Sequence, residues 1–271
     1  MILSDQHIHS DRSSDCAVPM PDMARASFAR GVRHICFTDH IDLDESETGA
    51  PFPAAADAWP RTVATYRAAC ETAPAGMTLR LGMELGEAHH HPAAAEALHR
   101  APEADLILGS LHNLRGTPDF YCLRYESEAQ CELLNRLYVA ELMELAELDC
   151  FDIMAHIGYT ARYMGRAGFK AAVTIEEHGD ALRQIFVRLI ERGKGIELNC
   201  SGLRYGGGTF PTLPILRLYR DLGGELITVG SDAHTAAAAS EGVREGHDIL
   251  RENGFRYVAL YSGRKPTLET L

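Results

Sequence analysis

The feature that most constrains this chain is a regular alternation of short β-forming runs with longer segments of helical periodicity. The pattern predicts strands at about residues 2–8, 34–38, 78–85, 105–111, 152–155, 195–199, 226–230 and 256–261. It predicts helices at about 21–29, 57–72, 92–100, 126–147, 175–192, 212–222 and 239–253. Strands that alternate with helices are typical of a parallel sheet with crossover helices. Seven strand–helix units and a last strand are therefore expected.

Length and composition favour one domain over the whole chain, residues 1–271. The chain is 46% hydrophobic and 24% charged, which is close to the average for globular domains. Its formal net charge of −12 argues against a nucleic-acid partner, although bound cations would not enter that count. The sequence has neither a signal-peptide core nor an apolar run long enough to span a membrane. Seven scattered cysteines without a C-x-x-C pair indicate a reducing compartment, so we expect a cytoplasmic protein without a membrane partner.

Histidines and carboxylates recur where the predicted strands end. In the first strand His7 and His9 lie on one face, because strand side chains alternate with a period of two. Later strands end in His40, Glu84, His112, His156 and the Asp232/His234 pair. A single histidine in such a place is more often a structural residue. However, a barrel brings its C-terminal strand ends to one mouth, so this recurrence favours a shared site.

Imidazole and carboxylate ligands without thiolates suit zinc, iron or manganese. Such ions polarise phosphoryl oxygens and generate a nucleophilic water at neutral pH, so a multinuclear centre of this type is suited to hydrolysis.

The order of the motifs H-x-H, T-D-H, G-x-E-L, G-S-x-H, A-H-I-G-Y and G-S-D-A-H resembles the PHP (polymerase and histidinol phosphatase) superfamily. The segments DIMAHIGYTARY, IELNCSGLRYGG and LYRDLGGELITVGSDAH, with the closing GRKP, look like its monofunctional histidinol-phosphate phosphatases. The resemblance implies a distorted TIM-like (β/α)7 barrel of the PHP type. It also implies hydrolysis of L-histidinol phosphate, a small phosphate monoester, in histidine biosynthesis.

The same resemblance implies three divalent metal ions (Zn, Fe or Mn). One would be bound by His7, His9, Glu84 and Asp232, with Glu84 bridging to a second ion at His112 and His156. The third would be bound by Asp15, His40 and His234. In other branches a histidine often stands at the position of Asp15, and a turn or capping role is the alternative for this residue.

Arg162 is the residue that the resemblance assigns to the substrate phosphate, and its guanidinium suits phosphate oxygens. Glu84, Asp232 and Arg162 are thus the candidate catalytic residues, and Arg204 is a second substrate-binding candidate. Asp39 could support a liganding imidazole. Glu87 and the run His89-His90-His91 could form an additional metal site, but they follow the third strand by several residues and are interpreted as a helix-entry loop at the rim. The run Gly206-Gly207-Gly208 lacks the context of a nucleotide-binding loop.

Other functions remain possible from the sequence. A PHP-type phosphoesterase could act on a nucleotide or sugar phosphate instead. The barrels of metal-dependent amidohydrolases also begin with an H-x-H motif, but in such an enzyme Glu84 is not expected to bridge two metal ions. A structural or interaction module is the third alternative, and it is disfavoured because all nine predicted ligand positions hold ligating residue types.

Overall fold

In the computed structural model, which describes residues 2–271, seven parallel strands follow one another in chain order around a nearly closed barrel. They are β1 (Ser4–Ile8), β2 (His34–Asp42), β3 (Thr78–Gly86), β4 (Leu106–Ser110), β5 (Ile153–Met154), β6 (Gly195–Asn199) and β7 (Ile227–Gly230). The barrel closes between β7 and β1, where Ile8 bridges Ala233 and the N–H of Asp232 donates to the carbonyl of His7 at 2.8 Å. The predicted (β/α)7 barrel is confirmed.

Helices connect the strands on the outside of the barrel. They are α1 (Met20–Ala29), α2 (Trp59–Glu71), α3 (Pro92–His99), α4 (Glu128–Ala146), α5 (Thr160–Arg166), α6 (Ile175–Glu191), α7 (Leu213–Asp221) and α8 (Val243–Glu252). Local sequence explains where several begin: Ser127 and Thr174 cap the N-termini of α4 and α6 with their side chains, and Pro92 starts α3. Short 3-10 helices cover Pro53–Ala58 and Ser201–Tyr205.

Two elements differ from the sequence-based expectation. Helix α5 lies after β5, where no helix was predicted, because its seven residues are too few for a clear period. The last predicted strand, β8 (Tyr257–Ser262), pairs antiparallel with an unpredicted strand, β9 (Lys265–Thr270), instead of extending the barrel. Five of the six residues of β9 are exposed, so it carries no buried pattern.

The β8–β9 hairpin covers the N-terminal end of the barrel. The N–H of Tyr261 contacts the Gln6 side chain at 3.4 Å, and the N–H of Gly263 donates to Asp105 at 2.8 Å. Arg264 donates to the carboxylate of Asp152, just before β5. The opposite end, where the parallel strands terminate, is left for a site.

One large apolar core fills the space between the barrel and its helices. A smaller cluster that includes Leu106, Ile153 and Tyr261 fills the end beneath the hairpin. Across residues 2–271, none of the helices combines the length and apolarity that a membrane crossing requires.

Candidate metal centre

Glu84 lies at the middle of the C-terminal mouth of the barrel. It is paired in register with His40 of β2 and its side chain is 1% exposed. Its Oε1 lies 3.0 Å from Nε2 of His112 and 2.7 Å from Nε2 of His156, and it accepts a hydrogen bond from the Ser110 hydroxyl at 2.7 Å. These two imidazoles form one side of the centre.

The other oxygen of Glu84 faces a different set of imidazoles. Its Oε2 lies 3.2 Å from Nε2 of His7, 3.5 Å from Nε2 of His9 and 3.1 Å from Nδ1 of His40. Asp232 Oδ1 approaches the same pair from β7, at 3.4 Å from His9 and 3.9 Å from His7. The carboxylate of Glu84 thus separates two groups of possible ligands, as a bridging ligand would.

A third group lies toward solvent. Oδ2 of Asp15 is 3.1 Å from Nε2 of His234 and 3.8 Å from Nε2 of His40. Ring nitrogens of His9, His40 and His234 lie within 4.8 Å of one another. The structure therefore brings all nine predicted ligand positions into one cluster, and their assignment as ligands stays a prediction.

The orientation of the imidazoles tests whether metal ions fit here. The Nδ1 atoms of three of these histidines face oxygen acceptors. The pairs are His7 with Glu197 at 2.8 Å, His9 with Ser13 at 3.1 Å and His112 with Asp42 at 3.1 Å. A proton on Nδ1 leaves the Nε2 lone pair free for a cation. Carboxylates that bond to the other ring nitrogen commonly orient metal-binding histidines in this way.

The Nε2 atoms then converge. Nε2 of His7 and Nε2 of His9 are 3.1 Å apart, and those of His112 and His156 are 3.4 Å apart. Such close imidazole pairs around a central carboxylate fit divalent cations bound by nitrogen and oxygen.

The electrostatics also favour positive charge in the centre. Burial alone would raise the pKa of Glu84, but the imidazoles of His7, His40 and His112 outweigh it and hold that pKa well below its usual range. Burial opposes protonation of His40, yet Glu84 and Asp42 raise the pKa of its imidazole to about 10. The buried carboxylates thus attract cations, either protons or metal ions.

Backbone strain is concentrated at two of the predicted ligands. His156 has a φ of 35° and Asp232 a φ of 53°, in the left-handed region that non-glycine residues seldom adopt. The N–H of His156 donates to Glu197 at 3.1 Å, and that of Asp232 donates to the carbonyl of His7. These bonds hold the two side chains toward the barrel axis, as is common at functional sites.

A cavity of about 490 Å³ opens above the cluster. Arg162, on the unpredicted helix α5, lines it, with its guanidinium 3.2 Å from Oδ2 of Asp232 and bonded to the Ser201 hydroxyl. Burial opposes the charged form, but Asp232 raises the pKa of Arg162 further above its already high usual value. Arg162 is therefore a permanent cation at the edge of the predicted centre.

Arg204 is placed differently. Its guanidinium donates to the backbone carbonyls of Ser231 at 2.7 Å and Asp232 at 3.1 Å, and it is not among the described residues that line the cavity. Its expected contact with the substrate stays a prediction. Arg204 stabilises the segment after β7 that carries Asp232.

Asp39 supports the centre indirectly. It accepts hydrogen bonds from the N–H and hydroxyl of Ser10 and from the Ser13 hydroxyl at 2.8 Å, and Ser13 in turn contacts Nδ1 of His9. The relay through a hydroxyl could not be predicted from the sequence, because it depends on the conformation of the loop after β1.

Glu197, in β6, was not among the functional residues predicted from the sequence. The residue is fully buried and touches both His7 and the backbone of His156. A glutamate within a short predicted strand, Gly195–Asn199, was the sequence signal that could have indicated its role, because buried carboxylates are rare without a partner.

Comparisons with known proteins agree with this geometry. The PHP domain model matches residues 5–201. A "Probable histidinol-phosphatase" of Thermotoga maritima is 29% identical over 262 residues, covering 96% of each chain. A "Histidinol-phosphatase" of Lactococcus lactis is 24% identical over 267 residues, covering 96% of this chain and 95% of the other.

The fold comparison is similarly extensive. A crystal structure of the histidinol phosphate phosphatase of Lactococcus lactis, in complex with zinc, L-histidinol and phosphate, superposes with a TM-score of 0.75 at 21% identity. The alignment covers 97% of this chain and 98% of that one. Since the family model covers well over half of the sequence and the barrel is the expected one, the chain belongs to the PHP domain family.

Proposed function

We propose that the protein is a metal-dependent phosphatase that hydrolyses L-histidinol phosphate to L-histidinol and phosphate in histidine biosynthesis. The observation that carries this proposal is the placement of Glu84 between two groups of imidazoles, with the Arg162 guanidinium beside them. Relatives with this activity in their names align over almost the entire chain, and the solved Lactococcus structure holds zinc, L-histidinol and phosphate.

The predicted ligands would hold three divalent cations: His7, His9, Glu84 and Asp232 for the first, Glu84, His112 and His156 for the second, and Asp15, His40 and His234 for the third. When bound, such cations neutralise phosphoryl oxygens and lower the pKa of water near phosphorus. Zinc, iron and manganese all suit this ligand set.

Arg162 would contribute the phosphate recognition that comes from the chain itself. Its fork of N–H donors suits phosphate oxygens, and Asp232 and Ser201 hold the side chain at the cavity wall. A guanidinium fixed before the substrate arrives loses little conformational freedom on binding.

The cationic part of histidinol phosphate requires acceptors elsewhere in the cavity. Carboxylates of Glu47 and Asp119 line it and suit an ammonium or imidazolium group, whereas Asp42, which also lines it, faces Nδ1 of His112. Two other carboxylates near the mouth are engaged elsewhere: Asp44 is bonded to His90 and His91, and Glu87 accepts the N–H of His112 at 2.7 Å.

We further propose that residues 1–271 act as one domain, for which the single large core is the support. A cytoplasmic location fits the biosynthetic role and the seven free cysteines.

The test is phosphate release by the purified, metal-loaded protein from a panel of monoesters. We expect the highest kcat/KM with histidinol phosphate and much lower values with nucleotide and sugar phosphates. High activity on one of those substrates, together with none on histidinol phosphate, would show that the substrate is another monoester and that the protein is still a phosphatase. Absence of phosphate release from every monoester by protein with a full metal complement would reject the phosphatase proposal.

A further inference from the structure

A second cluster of ligating side chains lies outside the candidate centre, between the loop after β3 and helix α4. Nε2 of His89 and Nε2 of His90 lie 2.9 Å and 2.7 Å from the same atom, Oε2 of Glu141. The side chains are 2%, 3% and 15% exposed, respectively. We call these three residues the His89–Glu141 cluster.

The contacts of His90 place its imidazole between two carboxylates, and a neutral ring cannot donate a hydrogen bond to both. Its Nδ1 lies 2.7 Å from Oδ2 of Asp44, so both ring nitrogens face carboxylate oxygens. An ionised carboxylate only accepts hydrogen bonds, and a neutral imidazole has only one N–H. If that proton lies toward Asp44, the lone pair of Nε2 points at Glu141, and a positive charge is needed between them.

The contacts of Glu141 lead to the same conclusion. Its Oε2 receives two imidazole nitrogens, while its Oε1 accepts the backbone N–H of Arg115 at 3.1 Å. Nδ1 of His89 is buried and has no hydrogen-bond partner within the described part of the chain, so the cluster alone orients this ring. Burial lowers the pKa of His89, which favours the neutral, ligating form.

We propose that the His89–Glu141 cluster binds a zinc ion. Two imidazoles and one carboxylate are a common zinc ligand set, and their ligand atoms already lie within 4.8 Å of one another. Asp44 stands behind His90 as the carboxylate that orients a liganding imidazole. Tetrahedral zinc requires ligand atoms about 3.4 Å apart, so binding would lengthen the two contacts to Oε2 of Glu141.

This ion would have a structural role separate from hydrolysis. None of the three residues is among the described residues that line the cavity above Glu84. The cluster instead connects the loop after β3 to α4, and Asp44 adds the loop after β2. An ion there would fix the loop that follows Asp42 and, through the bond from the N–H of Arg115 to Glu141, the loop that carries His112. The inference does not depend on the substrate proposed above.

The zinc content of the purified protein tests the inference. After loading with Zn²⁺ and removal of loosely bound ions, we expect Glu141→Gln to contain one equivalent less than the unchanged protein by elemental analysis. The matched control is Glu144→Gln, because Glu144 lies on the same helix but is exposed and pairs with Arg115 at the surface. The control should match the unchanged protein. Equal zinc content in all three proteins would overturn the proposal.

A second measurement covers the case in which Glu141→Gln does not fold. Crystals of the unchanged, zinc-loaded protein should show an anomalous peak at the zinc edge between His89, His90 and Glu141. Peaks around Glu84 without one at this cluster would mean that a proton, not a metal ion, holds it together. Because this readout is independent of turnover, it stays separate from the test of the phosphatase proposal.

Discussion

The carboxylate of Glu197 accepts a hydrogen bond from Nδ1 of His7 at 2.8 Å, although the two residues are 190 positions apart in the sequence. Both side chains are buried, with exposures of 0% and 1%. The other oxygen of Glu197 accepts the backbone N–H of His156 at 3.1 Å. One carboxylate on β6 therefore orients residues on both sides of Glu84.

Replacement of this residue should weaken metal binding. His7 and His156 face different oxygens of Glu197, and Glu197→Gln would replace one of these acceptors with an NH2 donor. We expect metal affinity to fall about 10- to 100-fold, as for other supporting carboxylates. Competition with a chelator measures the metal affinity. The control is Glu191→Gln, because Glu191 is exposed on the outer surface. Unchanged affinity would show that His7 is oriented without Glu197.

Removal of Arg162 should affect substrate use and leave the metal content intact. Charge-assisted hydrogen bonds contribute about 1.5–3 kcal/mol, so Arg162→Ala should lower kcat/KM for histidinol phosphate about 10- to 100-fold. Steady-state kinetics and elemental analysis on the same preparation measure both quantities. The exposed Arg183→Ala is the matched control. A loss of metal equivalents in Arg162→Ala would place this side chain among the groups that hold the cations.

Gly230 occupies a position at which a side chain would collide with the centre. A Cβ there would lie 2.1 Å from Oε1 of Glu197 and 2.4 Å from Cβ of His7. We expect Gly230→Ala to lower the free energy of unfolding by about 1–3 kcal/mol, as overpacking does, and to weaken metal binding. Urea denaturation measures the first effect. Gly165→Ala is the control, because within residues 2–271 an added methyl group would meet no atom within 4 Å beyond its chain neighbours and the backbone of its own helix.

The C-terminal hairpin should contribute to stability without affecting turnover. Arg264 donates to Asp152 and to the carbonyl of His99 at 3.2 Å, at the end of the barrel opposite the cavity. Arg264→Ala leaves the largely buried Asp152 without this partner, which should destabilise the fold by about 2–4 kcal/mol. Chemical denaturation and kcat measure the two effects, with the exposed Lys265→Ala as the control. A large fall in kcat of the folded variant would show that the hairpin end of the barrel affects catalysis at the opposite end.

Metal affinity should fall as the pH is lowered. Without metal, His40 has a pKa of about 10 and the pKa of His112 is also raised, so both are protonated at neutral pH. Metal binding must release these protons, and each released proton changes affinity about tenfold per pH unit below its pKa. Titrations between pH 6 and 8 measure the slope. A pH-independent affinity would mean that these imidazoles do not bind the ions.

The sequence by itself determined the barrel and most of the predicted centre. Strands and helices follow from local periodicity, and His7, Glu84, His112 and Asp232 stand at strand ends that parallel topology directs to one mouth. Such features were predictable because they depend on residues close together in the chain and on one topological rule.

Only the tertiary structure decided which side chains support that centre and which do not. The contact of Glu197 with His7 joins positions that are far apart in the sequence, and so do the bonds from Arg204 to the backbone carbonyls after β7. The His89–Glu141 cluster likewise requires α4 to pack against the loop after β3. Hydrogen bonds need atoms within about 3 Å, and packing of the whole chain, rather than sequence spacing, sets that distance.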